Sequence, residues 1–230
     1  MVTNSLIRFE NVFKAYGEET VLENIDFEIK RGEFVFLIGP SGAGKSTILK
    51  LLNKEEVPTG GKVYIDDIDL STIDYSEMYK VRRKIGVIFQ DFRVIKSRNV
   101  FENVAISLEV TDAPESVIHD VVPNILEMVG LQNKILRKTS ELSGGEIQRL
   151  AIARALAHEP DIIVADEPTG MIDPKAAGEV MNLLLEINKL GTTVLMATHD
   201  YNIVNHYRKR VLKVEDGKIT SDKKVGTYHE

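Results

Sequence analysis

Four short apolar runs stand out along the chain: EFVFLIG (33–39), KIGVIFQ (84–90), DIIVADE (161–167) and TTVLMATHD (192–200). Each is rich in Val, Ile or Phe, is bounded by polar residues or glycine, and is separated from the next by helical patterning. That arrangement predicts buried parallel strands in an α/β core. Elsewhere the pattern alternates. Ile25, Phe27 and Ile29 fall on one side of a strand and Asp26, Glu28 and Lys30 on the other, and Val63 and Ile65 behave alike before an expected turn at Asp66-Asp67. Such alternation predicts an antiparallel sheet flanking the core. Asp216-Gly217, between RVLKVE and KIT, predicts a hairpin, and the polar tail after Lys218 reads as loosely held.

From Asn99 to about Ala157 the spacing is helical and no strand-like run occurs. Val117, Val121, Ile125 and Val129 recur at intervals of four and predict one buried stripe of a helix, with Pro123 inside it to kink or restart that helix. A helical insertion therefore interrupts the core between its second and third strands. With no internal repeat, low-complexity tract or linker, the expected organisation is a single domain over 1–230. Segments 1–90 and 158–230 form the α/β core with its antiparallel sheet, and 91–157 forms a helical subdomain.

Composition adds mostly exclusions. At 230 residues the chain is long enough for one large domain. Its formal charge of −6 gives no overall pull toward nucleic acid, and the short basic clusters at 82–84, 137–138 and 208–210 read as solvated faces. The absence of cysteine excludes disulfides, thiolate metal sites and cysteine catalysis. The start MVTNSLIRFENV lacks the apolar centre of a leader, and no run approaches the ~20 apolar residues that span a bilayer. The expectation is a soluble cytoplasmic chain that meets a membrane only through a partner.

The chemistry begins directly after the first apolar run. Gly39-Pro40-Ser41-Gly42-Ala43-Gly44-Lys45-Ser46-Thr47 matches G-x-x-x-x-G-K-[ST] and is followed by the helical TILKLLN. In that strand–loop–helix context glycines let backbone N–H groups converge on a polyphosphate, and the helix N-terminus adds favourable partial charge. Lys45 is expected to reach the β- and γ-phosphates of ATP, and Ser46 to bind Mg²⁺. Asp166 and Glu167 end the third run. Asp166 suits the metal, and Glu167, just past the strand, suits the water that attacks phosphate; otherwise the two acids are a solvated strand end. His199 and Gln90 end the other two runs and say little singly. Together the four strand ends bring polar groups to the edge where open α/β sheets bind ligands.

A second glycine-rich helix start, ELSGGEIQRLAIARAL (141–156), has the S-x-x-E form of a capping box. A cap accounts for Ser143 and Glu146. It does not account for Gly144-Gly145, which cost about 0.5–1 kcal/mol each inside a helix and leave N–H groups approachable. With this segment added, the chain resembles the ATP-binding cassette (ABC) family over nearly its whole length. The fold implied is a P-loop NTPase (RecA-like) α/β core with a flanking antiparallel β subdomain and an inserted α-helical subdomain. LSGGE is similar to the family's signature motif, which serves the nucleotide of a second, head-to-tail copy; Ser143, Gly144 and Gly145 are thereby implied to contact the partner copy's γ-phosphate.

The resemblance also implies roles for other positions. Tyr16, with Val21 nearby, matches the aromatic that stacks on adenine, where core packing is the alternative. Gln90 matches the loop glutamine at Mg²⁺ or its water, Asp173 the aspartate that crosses the interface, His199 the γ-phosphate histidine, and Glu167 the catalytic base. Two positions depart from the pattern. Met171-Ile172 precede Asp173 where the family commonly has a polar residue and leucine, and Ile147 stands where Gln is common, with packing on the helical insertion expected. RRKIGVIFQDFRVI and NVFENVA are similar to the family's cell-division branch. That implies a homodimeric, Mg²⁺-dependent ATPase at the inner face of the membrane, paired with an FtsX-like integral membrane protein that controls peptidoglycan hydrolysis. Phe92, Val94 and Ile95, beside Arg93, are the expected docking spot. The competing readings are the ATPase subunit of a transporter, such as a lipoprotein or macrolide exporter, a nucleotide switch without a membrane partner, and a P-loop kinase.

Overall fold

The computed structural model describes residues 5–228, so the first four residues of the stretch read for a leader lie outside the described part. In chain order the elements are β1 (Ser5–Tyr16), β2 (Glu19–Lys30), β3 (Phe34–Ile38), α1 (Lys45–Leu52), β4 (Gly60–Ile65) and β5 (Ile68–Asp69). Next come α2 (Met78–Arg82), β6 (Ile85–Ile88), α3 (Val100–Glu109), α4 (Glu115–Met128), α5 (Gly144–Leu156) and β7 (Ile162–Asp166). The chain closes with α6 (Pro174–Lys189), β8 (Thr193–Thr198), α7 (Tyr201–Tyr207), β9 (Arg210–Glu215) and β10 (Lys218–Lys223).

All four apolar runs are strands of one sheet, ordered β10-β9-β3-β8-β7-β6, and β9, β3, β8, β7 and β6 run parallel. Their unbroken apolar character follows from burial on both faces. Phe34, Phe36, Ile38, Ile163, Ala165, Val194 and Met196 join a cluster on the face covered by α3–α7, whereas Val35, Leu37, Ile162, Val164, Leu195 and Ala197 join the cluster around α1 and the second sheet. That second sheet is antiparallel, in the order β2-β1-β4-β5. Its alternation is as expected: Ile25, Phe27 and Ile29 are buried while Asp26, Glu28 and Lys30 are exposed. Phe9 and Phe27 face one another across β1 and β2 with ring centroids 4.6 Å apart. Both expected turns carry two consecutive positive φ angles, Asp66-Asp67 (54° and 62°) and Asp216-Gly217 (46° and 72°). Positive φ at both central residues matches the twist of a two-residue hairpin.

Two local expectations change. The buried face of α4 is Ile118, Val122, Ile125 and Leu126, with Val129 just beyond; Val117 is exposed and Val121 only partly buried. A strict interval of four drifts by about 40° per step around a helix of 3.6 residues per turn, so four such positions cannot share one face. The helix runs through Pro123 without restarting. The tail is not loose either. Lys218–Lys223 pairs with β9, and Gly226 and Tyr228 beyond it are hydrogen-bonded to the body. No helix among the described residues is long and apolar enough to cross a membrane.

Candidate active site

The carboxyl ends of β3, β6, β7 and β8 open onto a cleft of about 760 Å³. Pro40, Ser41, Gly42, Gly44, Lys45, Ser46 and Thr47 line it together with Gln90, Asp166, Glu167 and His199, and Tyr16 and Val21 complete the lining. Gly39 and Ala43 are not in the lining; they build the loop from behind. A Cβ on Gly39 would stand 2.1 Å from the Val214 carbonyl oxygen of β9, so only glycine lets the chain leave the sheet there. Gly44, at φ 105°, would place a Cβ 2.5 Å from Leu22 Cδ2. The left-handed turn at Gly44 starts α1 with no side-chain cap. The first amides of the helix thus retain their donors for a ligand.

Lys45 is buried, and its ammonium donates to the carbonyl oxygens of Gly39 at 2.7 Å and Pro40 at 2.9 Å. Those two bonds curl the loop around the side chain and leave one of three ammonium donors for a phosphate. Burial pulls its pKa below that of an ordinary lysine, while the charges of Glu167 and Asp166 work the other way. Among the described residues no group of three or more His, Asp or Glu side chains could hold a metal alone. The Ser46 hydroxyl, Gln90 amide and Asp166 carboxylate all line the cleft. Such a sparse oxygen set fits Mg²⁺, which keeps water and phosphate oxygens among its ligands.

Glu167 lies one residue past β7 at φ 48°. Its N–H donates to the Ala197 carbonyl at 3.0 Å, which ties the turn to β8 and aims the side chain toward His199. His199 Nδ1 stands 2.7 Å from Glu167 Oε1. A carboxylate only accepts, so Nδ1 carries the proton and Nε2 is left as the second functional nitrogen. Glu167 is largely covered and His199 mostly exposed, their side chains being 12% and 66% accessible. Tyr16 is exposed, with the Lys14 ammonium 4.6 Å from its ring centroid, and Lys14 in turn is paired with Glu56 at 2.7 Å. Partial burial and then the Glu56 charge raise the Tyr16 phenol above its ordinary pKa.

Ser143, Gly144, Gly145 and Asp173 do not line this cleft. The capping box is present: Glu146 N–H donates to Ser143 Oγ at 3.4 Å, and Ser143 N–H donates to Glu146 Oε2 at 3.0 Å. Lys134 holds the other Glu146 oxygen at 2.6 Å. The two glycines have separate reasons. Gly145 is buried against α6, where a Cβ would meet Ala176 Cβ at 2.7 Å; Gly144 is exposed and has ordinary space around it. Close helix packing therefore explains Gly145 without any ligand. Asp173 caps α6, accepting from the N–H groups of Lys175 and Ala176 at 3.0 Å. Met171 is exposed, Ile172 packs toward Gly144, and Ile147 packs on the cluster that contains α3 and α4.

Residues without a sequence signal complete the surroundings. Arg154, on α5, donates to the carbonyl oxygens of Arg93 at 2.6 Å and Phe92 at 3.2 Å. Burial lowers its pKa from the usual arginine value. Asn103, fully buried on α3, accepts from Ile95 N–H at 2.7 Å and donates to Asn99 O at 2.9 Å. The loop after Gln90 is thus held by the helix that begins at Ser143, with Phe92 and Arg93 both left-handed, Phe92 and Ile95 half-buried, and Val94 packed on the core. Tyr228 also lines the cleft. An arginine inside ARAL and a tyrosine in a polar tail carry no periodic or motif signal; only the folded contacts give them a place.

Comparison with known proteins is consistent with this geometry. Residues 22–170 match the ABC transporter family. The cell division ATP-binding protein FtsE of Bacillus subtilis (strain 168) is 49% identical over 224 residues, covering 97% of this chain and 98% of that one. FtsE of Mycobacterium tuberculosis (strain ATCC 25618 / H37Rv) is 45% identical over 225 residues, with the same coverage of 97% and 98%. Among solved structures, the dimeric post-hydrolysis state of the ATP-binding cassette MJ0796, bound to ADP and Pi, superposes with a TM-score of 0.86 at 38% identity, covering 96% of this chain and all of that one.

Proposed function

The chain belongs to the ABC transporter family, and from that premise we propose that it is a Mg²⁺-dependent ATPase that works as a head-to-tail pair and drives an FtsX-like integral membrane protein in cell division. The observation that carries the reading is the convergence of Lys45, Ser46, Gln90, Asp166, Glu167 and His199 on one cleft at the carboxyl edge of the parallel sheet. ATP lies with its adenine on Tyr16 and Val21 and its phosphates in the loop from Gly39 to Thr47. The uncapped amides at the start of α1 and the Lys45 ammonium bind the β- and γ-phosphate oxygens. Mg²⁺, when bound, neutralises charge that builds on those oxygens in the transition state. Ser46, Gln90 and Asp166 would hold it.

Glu167 takes the proton of the attacking water. Its position past the strand end, covered and hydrogen-bonded to His199 Nδ1, orients the carboxylate and leaves Nε2 to meet the γ-phosphate. The head-to-tail pair supplies what the single cleft lacks: Ser143, Gly144 and Gly145 of one copy close on the γ-phosphate of the other, and Asp173 crosses between them. The helical segment 91–157 carries that closure to the loop after Gln90 through Arg154. There the half-buried Phe92 and Ile95 meet a cytosolic part of the membrane partner, which brings the pair to the inner face of the membrane.

Glu167→Gln should lower kcat about 10²–10⁴-fold, the usual worth of a general base, and retain ATP. Hydrolysis at the normal rate would remove Glu167 from that role. The same variant, tagged and loaded with ATP, should copurify from native membranes with a protein of few spans and a large external domain, together with cell-wall enzymes. A many-span permease or a substrate-binding protein in its place would overturn the division assignment and leave the ATPase chemistry standing. Phe92→Ala should weaken that copurification and spare ATP binding.

A further inference from the structure

The segment that follows β10 is fastened to the body and ends at a residue that lines the cleft. Gly226 is buried, its N–H donates to the Lys209 carbonyl at 3.1 Å, and a Cβ at this position would stand 2.3 Å from Val211 Cγ2. Only glycine lets the chain press this closely on β9. Two residues on, the Asn205 side chain brackets the Tyr228 backbone: Tyr228 N–H donates to Asn205 Oδ1 at 2.8 Å, and Asn205 Nδ2 donates to Tyr228 O at 2.9 Å. Asn205 belongs to α7, which starts two residues after His199. The backbone, not the hydroxyl, makes the hydrogen bonds that hold Tyr228 in place. Its side chain packs on the core beside Ile38, at the end of the strand that leads into the phosphate loop, and it lines the cleft with Lys45, Gln90, Glu167 and His199.

We infer that Tyr228 is a nucleotide-binding residue and that 224–228 is a strap presenting it to the terminal phosphate. The inference rests on the ATPase reading above. In that reading Tyr16 and Val21 take the nucleoside end of the cleft. Tyr228 is fastened to the helix that continues from His199, so it belongs to the phosphate end. A neutral phenol there donates one hydrogen bond to an anionic oxygen, does not compete for Mg²⁺, and adds no charge to a site already holding Asp166 and Glu167. Placed at the terminal phosphate, it distinguishes a triphosphate from a diphosphate, which lacks that group.

The test measures Kd for ATP and ADP, with Mg²⁺, in the full chain carrying Tyr228→Phe, Tyr228→Leu or Gly226→Ala, with thermal unfolding followed alongside. Tyr228→Phe should raise the ATP Kd about tenfold, the worth of one hydrogen bond to a charged group, and change the ADP Kd less than about twofold at unaltered Tm. Gly226→Ala, which lifts the strap and leaves the tyrosine intact, should reproduce the loss for ATP. The inference is overturned if ATP affinity in Tyr228→Phe and Tyr228→Leu stays within about twofold of the parent, or if ATP and ADP weaken equally. Lys45→Ala separates the two levels. If it abolishes ATP binding while the Tyr228 variants do nothing, the strap role falls alone; if it too binds ATP normally, the nucleotide site itself falls.

Discussion

The chain begins two helices from glycine-rich segments, and the two starts differ in what they leave open. At α1 the left-handed Gly44 brings the loop into the helix with no side-chain cap, and Lys45 is drawn back onto the carbonyls of its own loop. Its amide donors face a cleft. At α5 the helix caps itself, with Ser143 and Glu146 exchanging hydrogen bonds and Lys134 securing the carboxylate. What remains there is the pair of glycine N–H groups, of which only Gly144 is exposed. Similar composition therefore leaves open amide donors beside a cleft at one helix and, at the other, a self-capped helix end outside that cleft.

Substitutions on each side break that comparison. Lys45→Ala should have the largest effect, a loss of ATP affinity of about a hundredfold or more, since it removes a charge-assisted bond from a buried site. Titration with a fluorescent ATP analogue reads it directly. Gly145→Ala comes next. It forces Cβ against Ala176 and should cost about 1–3 kcal/mol of stability in denaturant unfolding, whether or not ATP is present. Gly144→Ala has room and should raise helix stability by up to about 1 kcal/mol while impairing ATP-driven pairing, measured by sedimentation in the Glu167→Gln background. Pairing that survives Gly144→Ala unchanged would leave the second helix start a cap and nothing more.

A smaller effect distinguishes the caps themselves. The Lys134 ammonium first, and then the Ser143 amide, hold the Glu146 carboxyl below its ordinary value of 4.5. A carboxyl depressed in the folded state contributes stability that is whole above its unfolded pKa and is lost as pH falls through the folded one. Unfolding curves from pH 6 down to pH 3 should therefore steepen in the parent and flatten in Glu146→Gln. Identical slopes would mean the capping carboxylate contributes nothing measurable. The uncapped start of α1 has no acidic residue in its first turn.

Legibility in the sequence followed the reach of the forces involved. Strands buried on both faces, such as Phe34–Ile38 and Thr193–Thr198, show as continuous apolar runs because every side chain meets a hydrophobic layer. The phosphate loop shows because its glycines answer a backbone requirement felt within a few residues. The face of α4 is not legible from its valine spacing because intervals of four approximate a 3.6-residue period only over short stretches. The segment around Tyr228 carries no local signal because its composition is polar, and its anchors, Asn205 and Lys209, lie outside any local window.

By itself, then, the sequence determined the element types, the phosphate loop, the acid pair at the end of β7, the turn at Asp66-Asp67 and the hairpin at Asp216-Gly217. All of these are set by periodicity or by the φ preferences of neighbouring residues. Only the tertiary structure decided that His199 donates to Glu167, that Arg154 holds the loop after Gln90, that Gly145 is small for the sake of α6, and that Tyr228 reaches the cleft. Those contacts join residues tens of positions apart. Directional hydrogen bonds and close packing select them only once the sheet has brought its strand ends together.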